Sequence, residues 1–179
     1  MADVSVRRAG PNDAPAVGVV QAAVWHELYA ASLPAGLAEH LRPEAFARVW
    51  RDSLSHPPPG AHALLVALLG AQIVGFAAVG PAQDADADGQ TGEITVLGVH
   101  PAARHQGHGS RLLNAAVATL VEAGAERVNV WTTAGDDSAL AFLRSSGFGP
   151  DGAHRARAVA DDAPEVREIR LTTATQATP

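Results

Sequence analysis

The chain contains no cysteine. Disulfides are therefore excluded, and so is any metal site built on thiolates, which is compatible with a cytosolic setting. No apolar run approaches the roughly 18 residues that a membrane-spanning helix needs, so no membrane is expected among its partners. The opening residues Ala2-Asp3-Val4-Ser5-Val6-Arg7-Arg8 lack the apolar segment of a secretory signal, and the expectation is a cytoplasmic protein. Charged residues make up only 18% of the chain, and the net charge is −6. That balance counts against a nucleic-acid partner and for neutral or cationic small ligands. There is no internal repeat. Apolar residues amount to 47% of 179, enough for one domain with a sizeable core. The expected domain spans residues 1–171, with the polar stretch 172–179 as a disordered tail.

The most informative stretch runs from Gly92 to Ser110. It opens as an alternating strand that places Ile94, Val96 and Gly98 on one face and Glu93, Thr95, Leu97 and Val99 on the other. A turn bearing Gly107 and Gly109 follows. Then comes a helix pattern in Leu112, Leu113, Ala116, Val117, Leu120 and Val121. Strand, glycine turn and helix start together bind phosphate, because the first helical N–H groups have no partner in their own helix. Two known phosphate turns do not fit. Leu112 stands where a dinucleotide fingerprint needs its third glycine, and no Gly-Lys-Ser/Thr follows as in a P-loop.

Before this stretch, a strand is predicted at Val4–Arg7 and a helix from Pro11–Pro15 onward, capped by Asn12 or Asp13, with Val17, Val20, Val24, Leu28 and Ala31 on one face. After a break at Leu33–Gly36, a second helix opens at Pro43-Glu44 with Phe46, Val49, Trp50 and Leu54 on one face. Strands Ala63–Leu69 and Gln72–Val79 form a hairpin around Gly70-Ala71. The loop Pro81–Gln90 carries Asp84-x-Asp86-x-Asp88-Gly89, the first half of a calcium loop. Its twelfth position is Thr95 rather than Glu, so a solvated flexible loop is the expectation. Downstream are a helix end at Gly124, a strand Arg127–Thr133, and a short helix capped by Asp136-Asp137-Ser138 that ends at Gly147. Strands Ala153–Val159 and Val166–Leu171 follow, turning at Asp161–Pro164. Hairpins first and helix-strand alternation later predict an α/β domain with a mixed sheet.

Leu97-x-Val99-x-Pro101, followed by Arg104-x-x-Gly107-x-Gly109-x-x-Leu112-Leu113, resembles the acyl-CoA pyrophosphate motif of the GNAT N-acetyltransferase superfamily. Val128-x-Val130, Ala139-x-x-Phe142 and Gly147-Phe148 are similar to the strand and helix that follow it in that family. Arg7–Asp13 and Trp25–Pro34 are similar to its first strand and its substrate-side helices. The resemblance implies a GNAT fold: a mixed, mostly antiparallel sheet of about six to seven strands with about four helices, splayed at the acyl-CoA site.

It also implies acetyl-CoA as cosubstrate, no metal, and a small-molecule or peptide amine as acceptor. Homodimers are frequent in the family, so a homodimer is a further expectation. The pyrophosphate would lie on the N–H groups of Arg104, His105, Gln106, Gly107, His108, Gly109 and Ser110, with charge from the Arg104 side chain. The pantetheine arm would pair with the backbone of Leu97, Gly98 and Val99. Asp136 stands where many relatives carry an Asn that touches this arm.

Transfer to an amine needs a base, since a lysine-like amine is almost wholly protonated at neutral pH. Glu93 occupies the position of the family's frequent Glu base, the alternative being a strand-end Glu that faces solvent. The frequent general acid, a Tyr four residues before the Gly of Gly-Phe, is replaced by Leu143. His26, Glu27 and Tyr29 lie where relatives form the acceptor pocket, and His100, His105 and His108 are expected at the cofactor mouth as partly protonated imidazoles. Trp131 is expected to pack, and Arg155 and Arg157 to lie on a solvated strand face, the alternative being that the last hairpin lines the acceptor site.

Overall fold

A computed structural model describes residues 4–29, 41–158 and 165–175. Within them the order is β1 (Val4–Arg8), α1 (Ala14–Tyr29), α2 (Pro43–Ser55), β2 (Ala63–Leu69), β3 (Gln72–Pro81) and β4 (Thr91–Val99), then α3 (His108–Glu122), β5 (Arg127–Thr133), α4 (Asp137–Ser145), β6 (Gly149–Ala158) and β7 (Glu165–Ala174). The strands form one seven-stranded sheet in the order β1-β2-β3-β4-β5-β7-β6. Every neighbouring pair is antiparallel except β4 and β5.

Apolar residues cover both faces of the sheet. On one face, Leu112, Leu113, Ala116 and Leu120 of α3 and Leu140 and Leu143 of α4 pack on Val74, Ile94, Val128, Val130 and Leu171. On the other, Val17, Val20 and Val24 of α1 cover Leu64, Val66 and Phe76, with Trp50 and Leu54 of α2 alongside. The two helices of this second layer touch through Gly18. A Cβ there would collide with the Pro43 carbonyl oxygen and lie 2.9 Å from the Ala47 nitrogen.

Several boundaries differ from expectation. Asp13 does not cap α1 forward; its carboxylate accepts from the Gly10 N–H at 2.8 Å and pairs with Arg7 at 2.7 Å, fixing a 3-10 turn ahead of the helix. Leu28 at the end of α1 is exposed, and so is Val49, at 66%, because the apolar face of α2 is centred on Ala47, Trp50 and Leu54. Strand β7 runs on to Ala174, Asn129 facing Thr172, so residues 172–174 are sheet rather than tail. Thr175 extends the contact by donating to the Glu126 carbonyl at 2.9 Å. The turn expected at Asp161–Pro164, the break at Leu33–Gly36, Ala31 and the end of the tail fall outside the described residues.

The loop Pro81–Gln90 is exposed over much of its length, as expected, but two of its aspartates are tied down. Asp84 and Asp86 are turned onto Arg170 of β7, at 3.1 Å and 2.6 Å, and Asp151 meets the same guanidinium at 2.7 Å. Arg170 holds the Asp86 carboxyl down to about 2.

Candidate active site

Strand β4 carries one residue too many for its partner. Val79 faces Ile94 and Ala78 faces Val96, leaving Thr95 as a bulge. A bulge reverses the alternation of side chains and bends the strand. Ile94 therefore joins Leu97 and Val99 in the α3 core, while Val96 lies with the α1 core. This corrects the uninterrupted alternation expected from the sequence, which grouped Ile94 with Val96. Glu93 thereby comes to the α1 face of the sheet, opposite to Ile94.

The bulge also coincides with the end of the parallel ladder. Thr91–Ile94 pair with Arg127–Val130, and the register between β4 and β5 stops there. Beyond it β5 continues with β7 alone. Between Thr95 and Val99, β4 thus presents an open edge on the β5 side. His100 donates to Val74 of β3 at 2.8 Å, so by alternation Leu97 and Val99 turn their amide groups toward this open edge. Gly98 turns its own toward β3, and its bare α-carbon lies where a Cβ would sit 3.1 Å from the Phe76 ring. The Val99 carbonyl accepts from Arg104 Nε at 3.2 Å.

The chain then enters the glycine turn. His105 and Gly107 have φ of 60° and 80°. Gly107 is the N-cap of α3, and a Cβ on it would meet the Arg111 guanidinium at 2.5 Å. The first helical bond runs from Arg111 N–H to the Gly107 carbonyl at 3.2 Å. The amides of His108, Gly109 and Ser110 therefore precede the ladder and converge at the positive end of the helix dipole. The Arg104 amide is not part of this set, since it lies 3.4 Å from the Pro101 carbonyl. Its side chain is held by Glu27 of α1 at 2.5 Å, which brings a residue expected at the cofactor together with one expected at the acceptor.

One of the three histidines departs from the expected cofactor mouth. His108 is 1% exposed with both ring nitrogens unpaired, and burial, followed by repulsion from Arg111, pushes its pKa down. The His100 Nδ1 accepts from the Ala102 N–H at 3.2 Å. Among the described residues no group of three His, Asp or Glu side chains could hold a metal ion.

A family model described as Acetyltransferase (GNAT) family matches residues 23–148. The chain belongs to that family. The likeness extends to solved structures. The ribosomal-protein-alanine N-acetyltransferase of Brucella melitensis superposes with a TM-score of 0.71 at 21% identity, over 96% of this chain and 99% of its own. The PaiA N-acetyltransferase of Thermoplasma acidophilum, solved with coenzyme A, gives 0.66 at 16% identity, over 93% and 98%. YncA of Salmonella typhimurium, solved with acetyl-CoA, gives 0.69 at 15%, over 98% and 96%. At such identities the likeness is one of fold. A search of curated proteins finds no match.

Set on this GNAT fold, the polar face around Glu93 is more elaborate than the sequence suggested. Glu93 is 9% exposed and its carboxyl pKa is raised, first by burial and then by Asp84. The Gln83 N–H and Arg155 oppose the rise. Trp131 does more than pack. Its indole N–H donates to Asp84 at 3.2 Å, and its ring lies under the Arg155 guanidinium at 4.2 Å. Glu168, buried on β7 beside Thr133, binds Arg155 at 2.6 Å and Arg157 at 3.6 Å.

Tyr29, at the end of α1, stacks edge-on against Trp25 at 5.5 Å. Burial keeps its phenol pKa above the ordinary value. Asp136 is spent on capping α4, accepting from the Ala139 N–H at 2.9 Å. His26 is exposed. Sequence reasoning missed Asp84, Glu168 and Arg170; the signal present was the alternation Arg155-x-Arg157 and Glu168-x-Arg170 together with the acidic loop.

Proposed function

We propose that this protein is an N-acetyltransferase that moves the acetyl group of acetyl-CoA to a primary amine by direct attack in a ternary complex. The observation that carries the proposal is the open edge Thr95–Val99 running into the unpaired amides of His108, Gly109 and Ser110. A long arm with two amides fits an unpaired strand edge, and a diphosphate fits a cluster of helix-start N–H groups. Gly107 supports the same reading, because the left-handed turn that exposes these amides leaves no room for a side chain pointing at Arg111.

The bound cosubstrate supplies an acetyl group already activated as a thioester. The Leu97 N–H at the open edge is placed to polarise its carbonyl. Glu93 takes the proton of the acceptor ammonium, directly or through water. Its raised pKa makes it a better base than a solvated carboxylate, but it must still be ionised to act. Activity should therefore fall on the acid side at a pH above that of an ordinary glutamate. A thiol of pKa about 8.5 leaves without an acid, so Leu143 in place of the family's Tyr does not block the reaction.

A catalytically silent acyl-CoA-binding domain is the second reading, favoured by the buried Leu143. Calorimetry against acetyl-CoA tests binding, which both readings require. Thiol release over an amine panel separates them. For the enzyme, Glu93→Gln is expected to lower kcat by about 10²-fold or more while leaving acetyl-CoA affinity within about twofold. Unchanged turnover in that variant would remove Glu93 from the mechanism.

A further inference from the structure

We infer that the acceptor is a primary amine carrying a compact apolar group, aryl or alkyl of about six carbons at most, and that a cavity between α2 and the sheet holds that group. The inference rests on the acetyltransferase reading of the open edge and adds the class of acceptor to it.

The cavity has a volume of about 220 Å³ and lies on the α1 face of the sheet. Trp50 and Leu54 of α2, with Pro57 and Pro58 after it, form one wall, and His62 and Thr95 close it from the sheet side. Two of the polar groups in this lining are already used. The Trp50 indole N–H donates to Gln21 at 2.6 Å, and the Thr95 hydroxyl donates to the Ala78 carbonyl at 3.3 Å. Neither has a donor to spare for a guest. An apolar cavity of roughly 150 Å³ takes up benzene, so a six-carbon group has room here.

Two residues tie this cavity to the reaction site. His62 is the first. Val79 and Ile94 lie in the α3 core, so Gly80 and Glu93, which face each other across β3 and β4, both turn to the α1 side. The His62 ring takes the place that a Gly80 side chain would fill, its Nδ1 2.6 Å from where the Cβ would sit. Residues directly opposite on antiparallel strands have Cβ atoms about 5 Å apart, so the imidazole stands next to the Glu93 side chain. Thr95 is the second. It is the bulged residue at which the pairing of β4 with β5 ends, and so the start of the open edge. An amine between Glu93 and that edge has two directions in which to lay its substituent. Toward β5, Asn129 faces Glu93 and is followed by Asp84, Trp131 and Arg170, bound to one another. An apolar group laid there would strip water from ion-paired groups. Toward β3 lies the cavity, where each methylene taken out of water is worth about fourfold in affinity.

The test is a homologous series of straight-chain primary amines, ethylamine to hexylamine, together with the diamine of hexylamine's length, followed by thiol release at saturating acetyl-CoA. The monoamines share nearly the same basicity, so the slope of the series reports the cavity. In the wild type kcat/KM is expected to climb by about fourfold for each added methylene. The diamine should fall about tenfold or more below hexylamine, because its second ammonium would enter an apolar space without a partner. Ser53→Phe, which fills the cavity from α2, should lower the ratio of hexylamine to ethylamine in kcat/KM by about tenfold or more, with acetyl-CoA affinity within about twofold. Val49→Ala, on the exposed side of the same helix, should leave that ratio unchanged. A series that is flat or falls with chain length, a diamine that exceeds hexylamine, or a ratio that Ser53→Phe leaves as it was overturns the inference and leaves the acetyltransferase reading intact. Absence of acetyl-CoA binding by calorimetry overturns both.

Discussion

Glu93 and His108 are both ionisable and both buried, and they illustrate what burial does to opposite kinds of group. Glu93 is discouraged from losing its proton by desolvation and by the nearby Asp84. Replacing Asp84 by Asn removes a like charge, so the ionised form of Glu93 becomes easier to reach and the acid limb of the pH–rate profile should move toward lower pH. A steady-state profile of Asp84→Asn beside the wild type checks this, and a limb that stays in place or moves up would contradict the assigned influence. His108 is discouraged from gaining a proton. In the unfolded chain it titrates near 6.5, so the wild type should lose stability as pH falls below that value. His108→Leu lacks this loss and relieves two unpaired nitrogens, an effect of about 1 kcal/mol or more. Thermal melts at pH 8 and pH 5 should show the variant gaining on the wild type at the lower pH. The sequence displayed both residues but not their surroundings. Glu93 could be named because of the motif after it, whereas the three neighbouring histidines gave no hint that one of them faces inward.

Among the elements, the glycine turn and the helices were the most legible, because periodicity and glycine placement are local properties. Gly107, Gly124 and Gly147 all adopt positive φ at the helix boundaries assigned to them. What could not be read was the bulge at Thr95, since nothing in the residues of β4 marks an unpaired position; the mismatch exists only against β3. The clamp on Arg170 was hidden for a similar reason, because Asp84 and Arg170 are 86 positions apart. The junction of α1 with α2 is likewise a tertiary matter. Gly18 reads as a weak point in a helix, yet its missing side chain lets the backbones touch. Gly18→Ala, which raises helix propensity, should therefore destabilise the protein by about 3 kcal/mol. Denaturant unfolding would show it as a lower midpoint with unchanged slope, and a stabilised variant would mean the helices separate freely.

For the molecule as a whole, charge must be read locally. The net value of −6 pointed toward cationic or neutral ligands, and the carboxylates are unevenly spread: Asp13 pairs with Arg7 and Glu27 with Arg104, whereas Asp84, Asp86 and Asp151 share Arg170. Fold class was legible at this scale from the succession of hairpins and crossovers. The acceptor was not, since the polar groups gathered around Glu93 come from the loop before β4, from β6 and from β7 and converge only in space.

The extra residue in β4 has a consequence for a shortened chain. Deleting Thr95 would restore regular pleating while leaving Ile94, Val96, Leu97 and Val99 each on the side they already occupy. Such a protein should keep its folded packing and yet let β5 zip along the whole of β4, leaving a thioester no berth. Packing has no need of that threonine; the proposed thioester site does.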